Sequence, residues 1–206
     1  MENTNSCCHV SVCGTVEHRP EFSHSSKGKN FFTFPLAVDR LSGTTDIINI
    51  ICPEDILNTT VYDDSSILKV QGSLRTFNNK SGIGNKLLVF VYANNLEFCR
   101  DEPENHVFMI GTICKTPVLR STPLGRDICD LLVAVNRPYG HSDYIPCICW
   151  GQYAREAASF SIGDMIRLEG RIQSRTYIKC TSQGQISKTA YEVSASEISK
   201  LSLSYE

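Results

Sequence analysis

Apolar and polar residues alternate in short runs along this chain, with turn-forming residues between the runs, the pattern of β-strands. The stretch Leu131–Gly151, LLVAVNRPYGHSDYIPCICWG, holds two such runs around a turn of Pro, Gly, His and Ser, and predicts a hairpin. Successive side chains of a strand point to opposite faces. Its second run therefore divides into Tyr144, Ile148 and Trp150 on one face and Ile145, Cys147 and Cys149 on the other. The second face is small and apolar and suits a core. The first carries two aromatics with Asn136, Arg137 and His141 close by in the hairpin. Aromatics on strands commonly pack in the core or in cross-strand pairs, and they also serve as stacking platforms for unpaired bases.

The pattern repeats. His9-Val-Ser-Val-Cys-Gly14-Thr-Val matches His106-Val-Phe-Met-Ile-Gly111-Thr-Ile, a displacement of 106 − 9 = 97. Leu36–Arg40 against Val133–Arg137 and Asp46–Cys52 against Asp143–Cys149 keep that displacement, and Ile67–Leu74 against Met165–Ile172 shifts it to 98. The chain is a tandem duplication. Strands are predicted near 8–22, 30–40, 46–52, 66–77 and 86–98, and again near 106–120, 127–137, 143–150, 165–177 and 188–198. A short turn or helix opens at Pro53, and a helix is predicted near Gln152–Ser159 on Ala154, Ala157 and Ala158. Five short strands with a helix after the third describe an OB-fold, so the expected fold is all-β, two tandem OB-folds. Gly14, Gly72, Gly111 and Gly170 interrupt strands at equivalent points and predict the places where each sheet curls. The expected domains are 1–98 and 106–206, joined by the polar linker 99–105.

The order of LLVAVNR, an aromatic-bearing turn, DYIPCICWG, an Ala-rich helix and the run G-D-x-I-x-L-E-G-R-I resembles the bacterial single-stranded DNA-binding protein family, from His106 to Leu201. The resemblance implies sequence-independent binding of single-stranded DNA, in replication, recombination or repair, by stacking and phosphate contacts. The family's four aromatic points fall on Tyr139, Tyr144, Trp150 and Tyr177. In the first repeat they fall on Ser42, Ile47, Pro53 and, after a two-residue shift, Phe77.

Charge sharpens the assignment. The net charge is −2, but residues 1–105 carry 9 Lys/Arg against 13 Asp/Glu and residues 106–206 carry 11 against 9. The second half is the expected binder. Its candidate phosphate contacts are Lys115, Arg120, Arg126, Arg137, Arg171, Arg175 and Lys179, with Arg167, Arg171, Arg175 and Tyr177 sharing parity on one strand. Asp39, Asp46, Glu54, Asp55, Asp63 and Asp64 make the first repeat a poor phosphate surface. It is expected to be architectural, with weak contacts through Phe77, Arg75, Lys80 and Lys86.

Ten cysteines lie mostly in apolar strand runs, and no secretion signal precedes them, so reduced thiols in a bacterial cytosol or nucleoid are expected. No metal, cofactor or membrane segment is expected, and no motif suggests an enzyme. The family usually assembles four OB-folds. Two per chain then imply a homodimer, with a monomer as the alternative. The sequence closes on Lys200-Leu-Ser-Leu-Ser-Tyr-Glu206, so the family's acidic recruitment tail is not expected, which leaves a second reading, an OB-fold adaptor or replication-restart paralogue acting through protein contacts.

Overall fold

The computed structural model describes residues 7–57, 66–81, 85–99, 103–138, 140–181 and 184–201. Two compact units divide the chain. One comprises His9–Arg75 and Val89–His106, and the other Met1–Cys8, Thr76–Leu88 and Val107–Glu206. The second unit thus takes in Thr76–Leu88, a stretch that by sequence belongs to the first repeat.

The first repeat consists of β1 (Cys8–Val16), β2 (Glu21–Ser26), β3 (Lys29–Asp39), β4 (Thr45–Pro53), α1 (Glu54–Leu57), β5 (Ile67–Asn78) and β6 (Leu87–Phe98). β1 pairs with β5 and, past its middle, with β3, while β4 runs parallel to β6. The sheet therefore closes on itself as a barrel. The second repeat has β7 (Glu104–Ile113), β8 (Val118–Ser121), β9 (Asp127–Asn136), β10 (Ser142–Trp150), α2 (Gln152–Ala157), β11 (Met165–Thr181) and β12 (Gly184–Lys200). β7 pairs with both β11 and β9, and β10 runs parallel to β12, the same closure. The protein is all-β, two tandem OB-folds.

Two strand predictions need adjusting. Each first strand is broken, at Glu17–Pro20 and at Cys114–Pro117, so that β1 and β7 close their barrels while β2 and β8 pair only with the next strand. A proline, Pro20 or Pro117, stands just before each second segment, where its missing N–H would interrupt a ladder. The backbone bonds at the break repeat too: Glu17 N donates to Pro35 O (3.1 Å) and Cys114 N to Leu132 O (3.0 Å). β11 and β12 also run further than expected, to a tip at Thr181–Gly184, because the ladder continues where neither face is buried.

Core side chains come from one face of each strand, among them Leu36, Ile48, Ile50 and Leu68 in the first repeat and Ile113, Ile145, Ile166 and Leu168 in the second. The strand glycines are explained by closeness. A Cβ on Gly72 would lie 2.0 Å from the Tyr92 carbonyl oxygen, and one on Gly170 would lie 2.3 Å from that of Ser194. Gly170 also marks a register shift in the β11–β12 ladder, where Ser196 is the extra residue. The cysteines with described side chains are free thiols, and burial pushes Cys52 and Cys149 up to about 12. No helix among the described residues is long and apolar enough to cross a membrane.

Candidate nucleic-acid interface

β9 and β10 pair in antiparallel register from Ser142↔Asn136 to Trp150↔Ile128, which fixes the alternation of β10. Ile145, Cys147 and Cys149 point into the barrel and are buried. Tyr144 and Trp150 point out, 48% and 37% exposed. They stand six positions apart, roughly 20 Å along a strand at about 3.3 Å per residue. Ile148, in the same outward rank, is covered.

Register carries this face onto the neighbouring strands. β10 meets β12 at Ile148↔Ser194, and β12 meets β11 at Ser194↔Arg171. Residues paired across a rung project to the same side. Ile148, Ser194 and Arg171 therefore form one rank, and alternation from it puts Tyr144, Trp150, Arg175 and Tyr177 on a single face. Tyr177 is 39% exposed. Arg120, opposite Ile128 and so in rank with Trp150, joins them. Lys179 takes the next odd position of β11, but its side chain, and the whole of Tyr139, lie outside the described residues. Lys115, between β7 and β8, and Arg126, in the β8–β9 turn, are exposed but are not held in these ranks.

The cations differ in how they are held. Arg137 follows the inward rank. It forms a two-point ion pair with Asp143, which is 1% exposed, and its Nη2 donates to the Thr76 carbonyl oxygen at 3.0 Å. Arg40 and Asp46 make the same two-point pair in the first repeat, 97 residues earlier (Nε–Oδ2 2.6 Å). Asp46, expected among the phosphate-repelling acids, is buried and neutralised there. Arg120 pairs with Asp130 (2.6 Å), and that hydrogen bond, opposed by some burial, raises its guanidinium above the ordinary arginine value. Arg175 lies over the Tyr177 ring (5.8 Å) and donates to Glu192 at 3.3 Å. Arg155 is tied to Asp127, and Arg167 to Glu169 with its guanidinium over Phe108. Arg171, Lys115 and Arg126 have no carboxylate partner among the described residues.

Two features of the face escape a reading of the sequence. Glu192, a carboxylate at its centre, is buried and accepts hydrogen bonds from Gln173 (2.9 Å) and Arg175. Only the β10–β12–β11 register reveals it. The other is the β5–β6 hairpin. Thr76 N donates to Asp143 Oδ1 (2.6 Å), Tyr144 N donates to Thr76 Oγ1 (3.1 Å), and Asn85 Nδ2 donates to the Thr189 carbonyl oxygen (2.7 Å). Phe77, 59% exposed, follows Thr76, and Lys80 and Lys86 on the same hairpin are exposed. Arg75 belongs to the first unit, where its charge acts on Tyr92.

The corresponding points of the first repeat are different. Ser42 and Ile47 are exposed and Pro53 is buried. Aromatic rings stand elsewhere: Phe31 is stacked on His24 (4.8 Å) and tilted against Tyr92 (6.2 Å), and Phe22 meets Phe32 edge-on (6.0 Å). These rings contact one another, though Phe22 remains 60% exposed. Of the remaining acids, Asp39 accepts from Thr45, Glu54 from Asn30, and Asp55 pairs with Lys29, while Asp63 and Asp64 lie outside the described residues.

The chain is 34% identical over 94 residues to a single-stranded DNA-binding protein of Oceanobacillus iheyensis, covering 42% of this chain and 55% of that protein. It is 38% identical over 80 residues to single-stranded DNA-binding protein 2 of Listeria innocua, covering 35% of this chain and 50% of that protein. The chain thus spans about half the length of the curated relatives it matches. The single-stranded DNA-binding protein of Thermus aquaticus has the same fold over 98% of this chain and 96% of its own, with a TM-score of 0.79 at 19% identity. The sequence profile of the single-strand binding protein family matches residues 104–201, so the second repeat is similar to that family over its whole length.

Proposed function

We propose that the protein binds single-stranded DNA without regard to sequence, in replication, recombination or repair, and that the outward face of β10, β11 and β12 is the contact surface. One observation carries the reading: Tyr144, Trp150 and Tyr177 share a face with Arg171 and Arg175 and are all substantially exposed. Each base stacked on an aromatic ring gains about 1–3 kcal/mol whatever its identity. Phosphates are met by Arg171 and, once released from Glu192, by Arg175. Lys115, Arg126, Lys179, Lys80 and Lys86 extend the positive path, and Tyr139 and Phe77 add rings. Arg120 and Arg137 are already matched by Asp130 and Asp143, and Arg137 acts as a brace. The first repeat is mainly architectural, since Ser42, Ile47 and Pro53 stand where the second repeat has Tyr139, Tyr144 and Trp150. Two OB-folds per chain fit a homodimer of four.

Trp150 is the only tryptophan, so its fluorescence reports on the site. Oligo-dT at low salt quenches it, duplex DNA competes poorly because its base faces are hidden, and the signal is lost as salt rises. Unchanged emission on saturation with oligo-dT would point to the adaptor reading. A solution mass measured alongside distinguishes dimer from monomer.

A further inference from the structure

β10 and β12 touch along only two rungs, Cys147↔Val193 and Ile148↔Ser194. On the N-terminal side of that joint the two parallel strands have no rungs between them. Tyr144 lies three residues before the joint on β10 and Thr189 four residues before it on β12. Both are held by the first repeat's β5–β6 hairpin: Tyr144 through Thr76 near the end of β5, and Thr189 through Asn85 just before β6. The hairpin therefore bridges the opening between the strands.

The Thr76 contact is specific in its chemistry. The hydroxyl accepts from the Tyr144 amide (3.1 Å) and donates to Asp143 Oδ1 (3.2 Å), the residue's own amide donates to the same oxygen (2.6 Å), and its carbonyl accepts from Arg137 (3.0 Å). An amide without a strand partner needs another acceptor. Thr76 supplies it at the residue whose ring stands out on the proposed contact face. We propose that Thr76 is a positioning residue for Tyr144, so that the first repeat completes the strand-binding surface of the second without itself touching a base at this position. The inference rests on the strand-binding reading above.

The test compares oligo-dT with an abasic strand of equal length, which has the same phosphates and no bases. Tyr144→Ala weakens binding of oligo-dT and leaves abasic binding within about twofold, because only stacking is removed. Thr76→Val deletes the hydroxyl but keeps the branched shape. It lowers oligo-dT affinity roughly three- to tenfold, the scale of one hydrogen bond and an amide left without its acceptor, with abasic binding again within about twofold. Thr76→Ser, which keeps the hydroxyl, restores oligo-dT binding. Equal losses on both strands in Thr76→Val would mean a general effect on folding or charge, and no loss on either would mean the hydroxyl is idle; both overturn the inference. If Tyr144→Ala itself fails to distinguish the two strands, the strand-binding reading is what has failed, and the inference falls with it.

Discussion

Replacing Arg171 and Arg137 one at a time separates a cation free to meet phosphate from one that is spent. Both were candidates by residue type, but Arg171 has no carboxylate partner among the described residues, whereas Arg137 is locked to buried Asp143. Each phosphate neutralised on a single strand contributes about 0.7 to the slope of log affinity against log salt. With Arg175 still held by Glu192 and Lys179 left aside, engagement of Arg171, Lys115, Arg126, Lys80 and Lys86 gives a slope of about −3.5, and affinity falls about 130-fold between 50 and 200 mM salt. Arg171→Ala should bring the slope to about −2.8 and the loss to about 50-fold, with stability unchanged. Arg137→Ala should leave the slope near −3.5 but strand the Asp143 carboxylate. Breaking a buried pair costs about 3–5 kcal/mol. The low end is expected, because Arg137 is 31% exposed and Thr76 still donates to Asp143. Trp150 fluorescence titrations with oligo-dT at four salt concentrations, and thermal melts of each variant, make the comparison. If Arg137→Ala flattened the salt slope as much as Arg171→Ala and melted like the parent, the division into free and spent cations would be wrong.

Two further outcomes concern the barrel. Gly170→Ala sets a methyl group 2.3 Å from the Ser194 carbonyl oxygen and 3.0 Å from Ala195 Cα, both backbone. The cost is at least the roughly 1–3 kcal/mol of overpacking, read as a lowered melting temperature. Cys52 and Cys149 titrate near 12 in the fold against a reference of 9.0. Between those values the folded chain binds more protons than the unfolded one, so stability is untouched near neutrality and declines as pH rises from about 9, as denaturant melts across the alkaline range would record. At pH 8 both thiols should resist alkylation in the native protein and react once it is unfolded.

Much of this architecture is legible in the residues because duplication writes each element twice. The displacement of 97 aligns Asp46–Cys52 with Asp143–Cys149, and alternation alone separates Tyr144 and Trp150 from Ile145, Cys147 and Cys149. What stays hidden is which residues meet. Arg137 and its buried partner Asp143 are only six residues apart, yet their types alone do not tell that they close on each other across the hairpin, while Arg171 faces solvent. Glu192 sits in a run that reads as ordinary strand, and only pairing with Gln173 brings it to the middle of the face. The break in the first strand lies in the polar run Glu17-His18-Arg19-Pro20, which reads equally as an exposed piece of strand until the pairing of β1 and β2 is known, and the long β11–β12 arm is hidden because a ladder exposed on both faces leaves no apolar period.

The Arg40–Asp46 and Arg137–Asp143 braces sit at the same place in two halves whose outward residues have gone separate ways. Scaffold and tool are thus held by different side chains, and one can be exchanged without dismantling the other. Ile47, already open to solvent and equivalent to Tyr144, is the natural position at which to transplant a ring and ask whether the first repeat gains affinity for a single strand.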